Sequence, residues 1–293
     1  MNFDIESKVT HAMENTTLTL KSGLNSTSDV IYHTLEELGG GWIFFIRVMK
    51  TFRKTSGYRE AIMQQIADVS TRTVGTVIFA GLFVGAILVL QFDTMLRRFD
   101  AQALLGGLNT SATIREIGPL IISFLLAGKV GAYTTAELAN MRVTEQIDAV
   151  ESLGVSPIQY LIIPRFIAIV LSSVVLLAIG LSVSVLGSLF VAEAFCGMNF
   201  YQYISSIPRF AGGWTIFEGL VRSIIFSTIV ANVSTYKGYT ASGGARGVGR
   251  AVTQSAIYIN VYIVIGNFIS SFFLEWIHDL MFWAINLVER LIY

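Results

Sequence analysis

Four charged residues stand where charge is expensive. Arg115 and Glu116 open an apolar run at 117–136, and Glu218 and Arg222 interrupt another at 214–236. An ionised side chain inside a bilayer is costly and is kept there by function or by a partner. Glu218 and Arg222 are four apart on one helix face, with the acid N-terminal, the order that favours a pair. At a rise of about 1.5 Å per residue, Arg222 lies about 12 Å along the run from Trp214. Arginine at that depth suits phosphate, because its guanidinium donates in a bidentate fork. One reading is a polar patch in an outward-facing cavity that meets a lipid headgroup. The other is a structural ion pair between helices, or side chains that reach back to the interface.

Other chemistries find no residues. The nearest approach to a phosphate-binding GxxxxGK[ST] loop, Gly128-Lys129, has Ser123 in place of the first glycine and Val130 after the lysine. The cluster Gly243, Gly244, Gly247, Gly249 misses the GxGxxG spacing and reads as an inner loop. HExxH and GxSxG are absent, so a hydrolase has little support. His11, His33 and His278 are far apart, which predicts no metal site. No catalytic residue, metal or cofactor is expected in this chain, and any ATP chemistry must be supplied in trans.

The elements that would carry these residues follow from hydropathy. The chain has 293 residues, 53% hydrophobic and 14% charged, with mean hydropathy +0.64. An ordinary soluble domain carries about 25% charge, so a bilayer protein is indicated. Acidic and basic residues balance at 20 each, which gives no basic field for nucleic acid. Five apolar segments, about 74–96, 117–136, 166–192, 214–236 and 251–274, are each near the roughly 20 residues that span a bilayer. None alternates as barrel strands do, so helices are predicted. Residues 1–40 read as a polar cytoplasmic arm, 41–73 as basic helices lying in the headgroup plane, and 276–293 as an amphipathic tail that lies on the outer surface or extends the fifth helix. With the N-terminus inside, inner regions hold twelve Lys and Arg against five outside, which predicts a cytoplasmic N-terminus and a C-terminus on the far side. Gly81 and Gly85 form a GxxxG pair, read either as packing within the chain or as a homodimer interface.

The inner region between the second and third segments is unusual. Thr134 and Glu137 fit a capping box, and Gly154 with Pro157 fits a helix end, predicting one helix over about 136–153. Leu138, Met141, Ile147, Val150 and Leu153 share its apolar side. Glu137, Arg142, Glu145, Gln146 and Asp148 are left for water or a partner.

Two stretches, REIGPLIISFLLAGKVGA at 115–132 and AELANMRVTEQIDAVESLGVSPIQYLIIPRF at 136–166, closely resemble the Mla/YrbE-type (MlaE) permeases, membrane subunits of ABC transporters that work with MCE-domain proteins. KGYTASGGARGVGRAVTQS at 237–255 resembles the family's last inner loop, and the likeness covers roughly 40–275. It implies an all-α fold with an N-terminal interfacial helix, five transmembrane helices and a coupling helix between the second and third. It further implies a homodimer, a separate ATPase subunit that binds the ATP, a periplasmic MCE-domain partner, a phospholipid or related substrate and a bacterial inner membrane. Glu137, Arg142, Glu145, Gln146 and Asp148 would then contact the ATPase, and Arg115, Glu116, Glu218 and Arg222 would line the lipid cavity. An ion-coupled secondary transporter, which would carry mid-membrane acids in paired repeats, and a structural scaffold of an envelope complex are the alternatives.

Overall fold

A computed structural model describes residues 36–52 and 58–292, with side chains as far as Met281 and also Trp283. The polar arm expected over 1–40 lies outside the described residues except for its last five, which are helical. Helix α1 (36–52) exposes Trp42, Ile43 and Phe52. The residues from Lys50 onward form a separate unit.

That unit is all helix among the described residues. It comprises α2 (Arg59–Arg97), α3 (Leu105–Ala112), α4 (Gly118–Leu126), α5 (Ala132–Val143), α6 (Gln146–Ser152), α7 (Ile163–Phe195), α8 (Phe200–Phe210), α9 (Gly213–Tyr239) and α10 (Gly244–Ile292). Single π-helical turns at Thr113–Ile117 and Ala127–Gly131 join α3, α4 and α5, and a third at Ile158–Ile162 leads into α7. Five continuous stretches are long and apolar enough to cross a membrane: Arg59–Arg97, Gln102–Val143, Ile158–Phe195, Gly213–Tyr239 and Gly244–Met281. Their outward surface is apolar, with Phe79, Phe190 and Phe268 each about 70% exposed or more, the arrangement lipid requires. Their inward surface is rich in small residues, including buried Ser172, Ser173, Ser184, Ser188, Ser223 and Ser227.

Two elements differ from the sequence expectation, and for a third the structure takes one of the two alternatives, the tail extending the fifth helix. Residues 59–73 are not a separate headgroup-plane helix but the first part of α2, where Val69 and Thr73 are already buried against the bundle. The tail from 276 continues α10 as one helix of 49 residues, about 74 Å at about 1.5 Å per residue, well beyond a ~30 Å hydrocarbon core. Helix α8, capped by Asn199 and Gln202, stands between the third and fourth spans, where the sequence pattern predicts no helix. It packs on α3 because Gly106 and Gly107 leave room for the backbone at Tyr203 and Ser206. Asn109 completes that contact by donating to Ser188 Oγ (2.9 Å) and Tyr203 Oη (2.8 Å).

The GxxxG pair is used within the chain. A Cβ at Gly81 would stand 2.7 Å from Gly180 O, and one at Gly85 would run into Ser184 O and Oγ. Gly187 lies equally close to the Leu82 carbonyl. Helices α2 and α7 thus cross backbone against backbone, so these glycines are not free to make a dimer interface.

Candidate functional site

Two groups of charged residues emerge, at opposite ends of the second span. At the first, the π-helical turn Thr113–Ile117 presents Arg115 to α9. Such a turn widens the helix and recurs at functional sites. Arg115 pairs with Glu218, which has no exposed surface, and its Nη2 lies 3.4 Å from Glu218 Oε1. Trp214 Nε1 donates to the same carboxylate oxygen at 2.8 Å. Arg222, 4% exposed, donates from Nη1 to the backbone oxygen of Arg115 at 2.5 Å, and its Nε finds no acceptor among the described residues. Glu116 is exposed and accepts from Asn267 Nδ2 of α10 at 3.2 Å.

The i,i+4 pairing expected of Glu218 and Arg222 is therefore replaced by a cross-helix one. Glu218 serves Arg115 and Trp214, while Arg222 serves the Arg115 backbone. The close approach of α9 to the π-helical turn decides this: a Cβ at Gly219 would run into Ile114 O. Sequence spacing sees neighbours on one helix and not those on the next. Trp214 and Asn267 were missed as members of the group. Asn267 had a signal, as an amide well inside an apolar span; Trp214 reads equally well as an interface aromatic. The Trp214 ring also lies 5.4 Å from that of His278, joining the start of α9 to the far part of α10.

At the other end, α5 runs on from the second span without a start at Thr134, which is buried, while Glu137 pairs with Arg165 of α7 at 3.0 Å. The capping box expected there does not form. The helix breaks eleven residues after Thr134, where Glu145 takes the left-handed conformation (φ 60°). That conformation costs a non-glycine residue about 1–2 kcal/mol. Arg142 and Asp148 form an ion pair across the break. The helix expected over 136–153 is thus two: the end of α5 and the seven-residue α6. Gly154 (φ 76°) ends α6, with its N–H on Glu151 O (2.9 Å) and that of Val155 on Val150 O (3.4 Å), a Schellman closure. Leu138 and Ile147 are buried as expected, but Leu153 is 80% exposed at the tip. Glu145, Gln146, Asp148 and Glu151 are exposed beside it. Arg165, which the sequence reading passed over, is 8% exposed and locks α7 to α5.

Residues 62–273 match the family model described as Permease MlaE. The chain belongs to the MlaE permease family. It is accordingly a multi-pass membrane permease. Among curated proteins it is 32% identical over 234 residues to a "Probable ABC transporter permease protein" of Rickettsia felis, covering 80% of this chain and 90% of that one. It is 32% identical to a protein of the same description from Synechocystis, over 75% of this chain and 82% of the relative. "Protein TRIGALACTOSYLDIACYLGLYCEROL 1, chloroplastic" of Arabidopsis thaliana is 33% identical, over 73% of this chain and 61% of that protein. The MlaE match takes in both charged groups, the break at Glu145, the second, third and fourth spans whole and most of the first and fifth.

Proposed function

We propose that this MlaE-family permease carries phospholipid, or a related lipid, between a bacterial inner membrane and a periplasmic MCE-domain lipid-binding protein, as a homodimer driven by a separate ATPase. The N-terminus is cytoplasmic and the C-terminus periplasmic. The observation that carries the reading is α6, a short, exposed helix set off by a strained break between two spans. Such a helix receives force. Its base is stiffened by the Arg142–Asp148 pair, and Glu137–Arg165 ties the receiving helix to the next span. A push on α6 therefore moves the second and third spans together. The chain carries no phosphate-binding loop of its own, and the names of its relatives speak of ABC transporters. The Arabidopsis relative's name contains a galactolipid, in support of lipid cargo. A secondary transporter has less support, because Glu218 is committed to Arg115 and Trp214 and is not free to bind an ion.

In this reading Glu145, Gln146 and Asp148, with Leu153 as an apolar tip, enter a groove of the ATPase, while Glu137 and Arg142 act behind them. Glu145→Lys and Leu153→Asp are expected to leave the melting temperature unchanged and to weaken copurification of the ATPase several-fold. Both side chains are exposed, so the fold does not need them. A complex that survives both changes with normal coupling overturns the assignment.

At the other end Arg115 and Glu116 meet the lipid headgroup, and the buried Glu218 and Arg222 position them. Glu116→Gln is expected to lower lipid transport several-fold with the amount of protein and its melting unchanged, since Glu116 is exposed and its amide replacement still accepts from Asn267. Equal transport rules out the role. The test of the whole is reconstitution of the permease in phospholipid vesicles with and without the ATPase. Lipid movement that requires the ATPase and ATP is expected, and movement without them overturns the proposal. A second copy must use a face other than the α2–α7 glycine crossing, which is filled.

A further inference from the structure

At the first turns of α10, Arg246, Gly249, Arg250, Thr253 and Gln254 line an open groove of about 500 Å³. No carboxylate lines it, and neither arginine forms an ion pair among the described residues. A third cation lies beneath. Lys237 of α9, 6% exposed, donates from Nζ to Gln254 Oε1 at 3.4 Å and sits 4.6 Å from the centre of the Tyr258 ring. Gly249 forms the floor, with nothing within 4 Å of where its Cβ would be.

A second groove, of about 640 Å³, lies farther along the same helix. Val261, Val264 and Ile265 line it together with Phe124 of α4 and the amide of Asn260. At 3.6 residues per turn, 246, 250, 253, 257, 261 and 264 fall on one stripe of α10, and Ile257, 56% exposed, bridges the two grooves. The stripe is therefore cationic and hydrogen-bonding at one end and almost wholly apolar at the other. From Thr253 to Val264 the rise is about 16 Å, half of a ~30 Å hydrocarbon core. The cationic end is the one that the distribution of Lys and Arg puts in the cytoplasm.

We infer that this stripe holds one anionic phospholipid of the inner leaflet, with its phosphate between Arg246 and Arg250 and its acyl chain along Val261, Val264 and Ile265. The charge, the polarity gradient and the length together fit an amphiphile lying parallel to the helix. A soluble anion has no use for the apolar half, and an acidic protein surface could not follow the stripe into the hydrocarbon. The inference rests on the lipid-carrier reading and adds a lipid station at the inner leaflet, at the opposite membrane face from Arg115 and Glu116.

The test is native mass spectrometry of the purified permease–ATPase complex titrated with phosphatidylglycerol, with neutral diacylglycerol and with phosphatidylglycerol in the presence of inorganic phosphate. Each basic residue near an anionic lipid surface contributes roughly fivefold in binding, so R246Q/R250Q is expected to weaken the tightest phosphatidylglycerol adduct about tenfold or more. R246K/R250K should stay within about threefold of the unaltered protein. G249L, whose Cβ has open space around it and whose longer side chain extends into the groove, should weaken binding as much as R246Q/R250Q with melting unchanged. Diacylglycerol should not distinguish the unaltered complex from R246Q/R250Q. Phosphatidylglycerol binding in R246Q/R250Q and in G249L equal to that of the unaltered complex overturns the station while leaving the carrier reading intact. Full competition by inorganic phosphate overturns it in favour of a free-anion site, and loss of the ATPase with lipid binding unchanged overturns it in favour of a protein interface. An unaltered complex that retains no lipid of either kind fails the carrier reading itself.

Discussion

Gly85→Ala is expected to abolish accumulation of the folded permease, or to lower its melting temperature in detergent sharply. The added Cβ would run into Ser184 O and stand 2.7 Å from Ser184 Oγ. One of those atoms is backbone, at the centre of the most extensive helix crossing in the bundle, that of α2 with α7. A flexible side chain can turn aside; a helix backbone has to move as a rod. Overpacking of a close-packed interior costs about 1–3 kcal/mol, and a contact that only helix displacement relieves belongs at the upper end or beyond. Gly187→Ala, aimed at the Leu82 carbonyl, should behave alike. Gly75→Ala is the control: it lies in the same helix with nothing within 4 Å of the new atom, and exchange of a helical glycine for alanine is worth up to about 1 kcal/mol in its favour. Equal melting of G85A and G75A would show that the crossing is looser than the structure has it.

Glu218→Ala is expected to destabilise the protein by about 3 kcal/mol, read as a loss of melting temperature and yield. The carboxylate is fully buried, and Arg115 and the Trp214 indole both end on it. Its removal leaves the Trp214 indole without its acceptor and the Arg115 guanidinium without its partner, beside Arg222, 4% exposed, which is bonded to a backbone oxygen alone. Breaking a buried pair from one side costs about 3–5 kcal/mol, because a charge remains without compensation. Arg115 moderates the effect, since its side chain is 42% exposed and can turn outward. Glu218→Gln should be milder, as the amide oxygen still accepts from Trp214. A double-mutant cycle with Arg115→Ala isolates the pair: coupling above about 1 kcal/mol is expected for groups in contact, and none would show Glu218 to be a bystander.

The two predictions test features of different legibility. The five spans were readable because lipid leaves a backbone only one way to satisfy its hydrogen bonds, so a long uncharged run is a helix whatever surrounds it. The break near Glu145 was not readable. The local signals at Thr134 and Glu137 argued for a helix start, but a capping residue can act only where the helix has a free end, and packing against α7, α9 and α10 carries the second span straight through. Thr135 donates to Ser255 Oγ of α10 at 2.9 Å, and Glu137 is drawn off to Arg165. Likewise α8 was not foreseen, because its seat depends on Gly106 and Gly107 of a segment nearly a hundred residues away.

The sequence by itself determined that this is an all-helical membrane protein with five spans, that it carries no phosphate loop, and that its resemblance lies with the MlaE permeases. Those properties are sums over local stretches or short motifs, and no neighbour in space alters them. The tertiary structure decided who partners whom. It gave Glu218 to Arg115 rather than to Arg222, spent the glycine pair on α7, exposed Leu153 and lengthened the last helix. Each of those outcomes depends on distances between residues far apart in the chain, which only the packing of helix against helix defines.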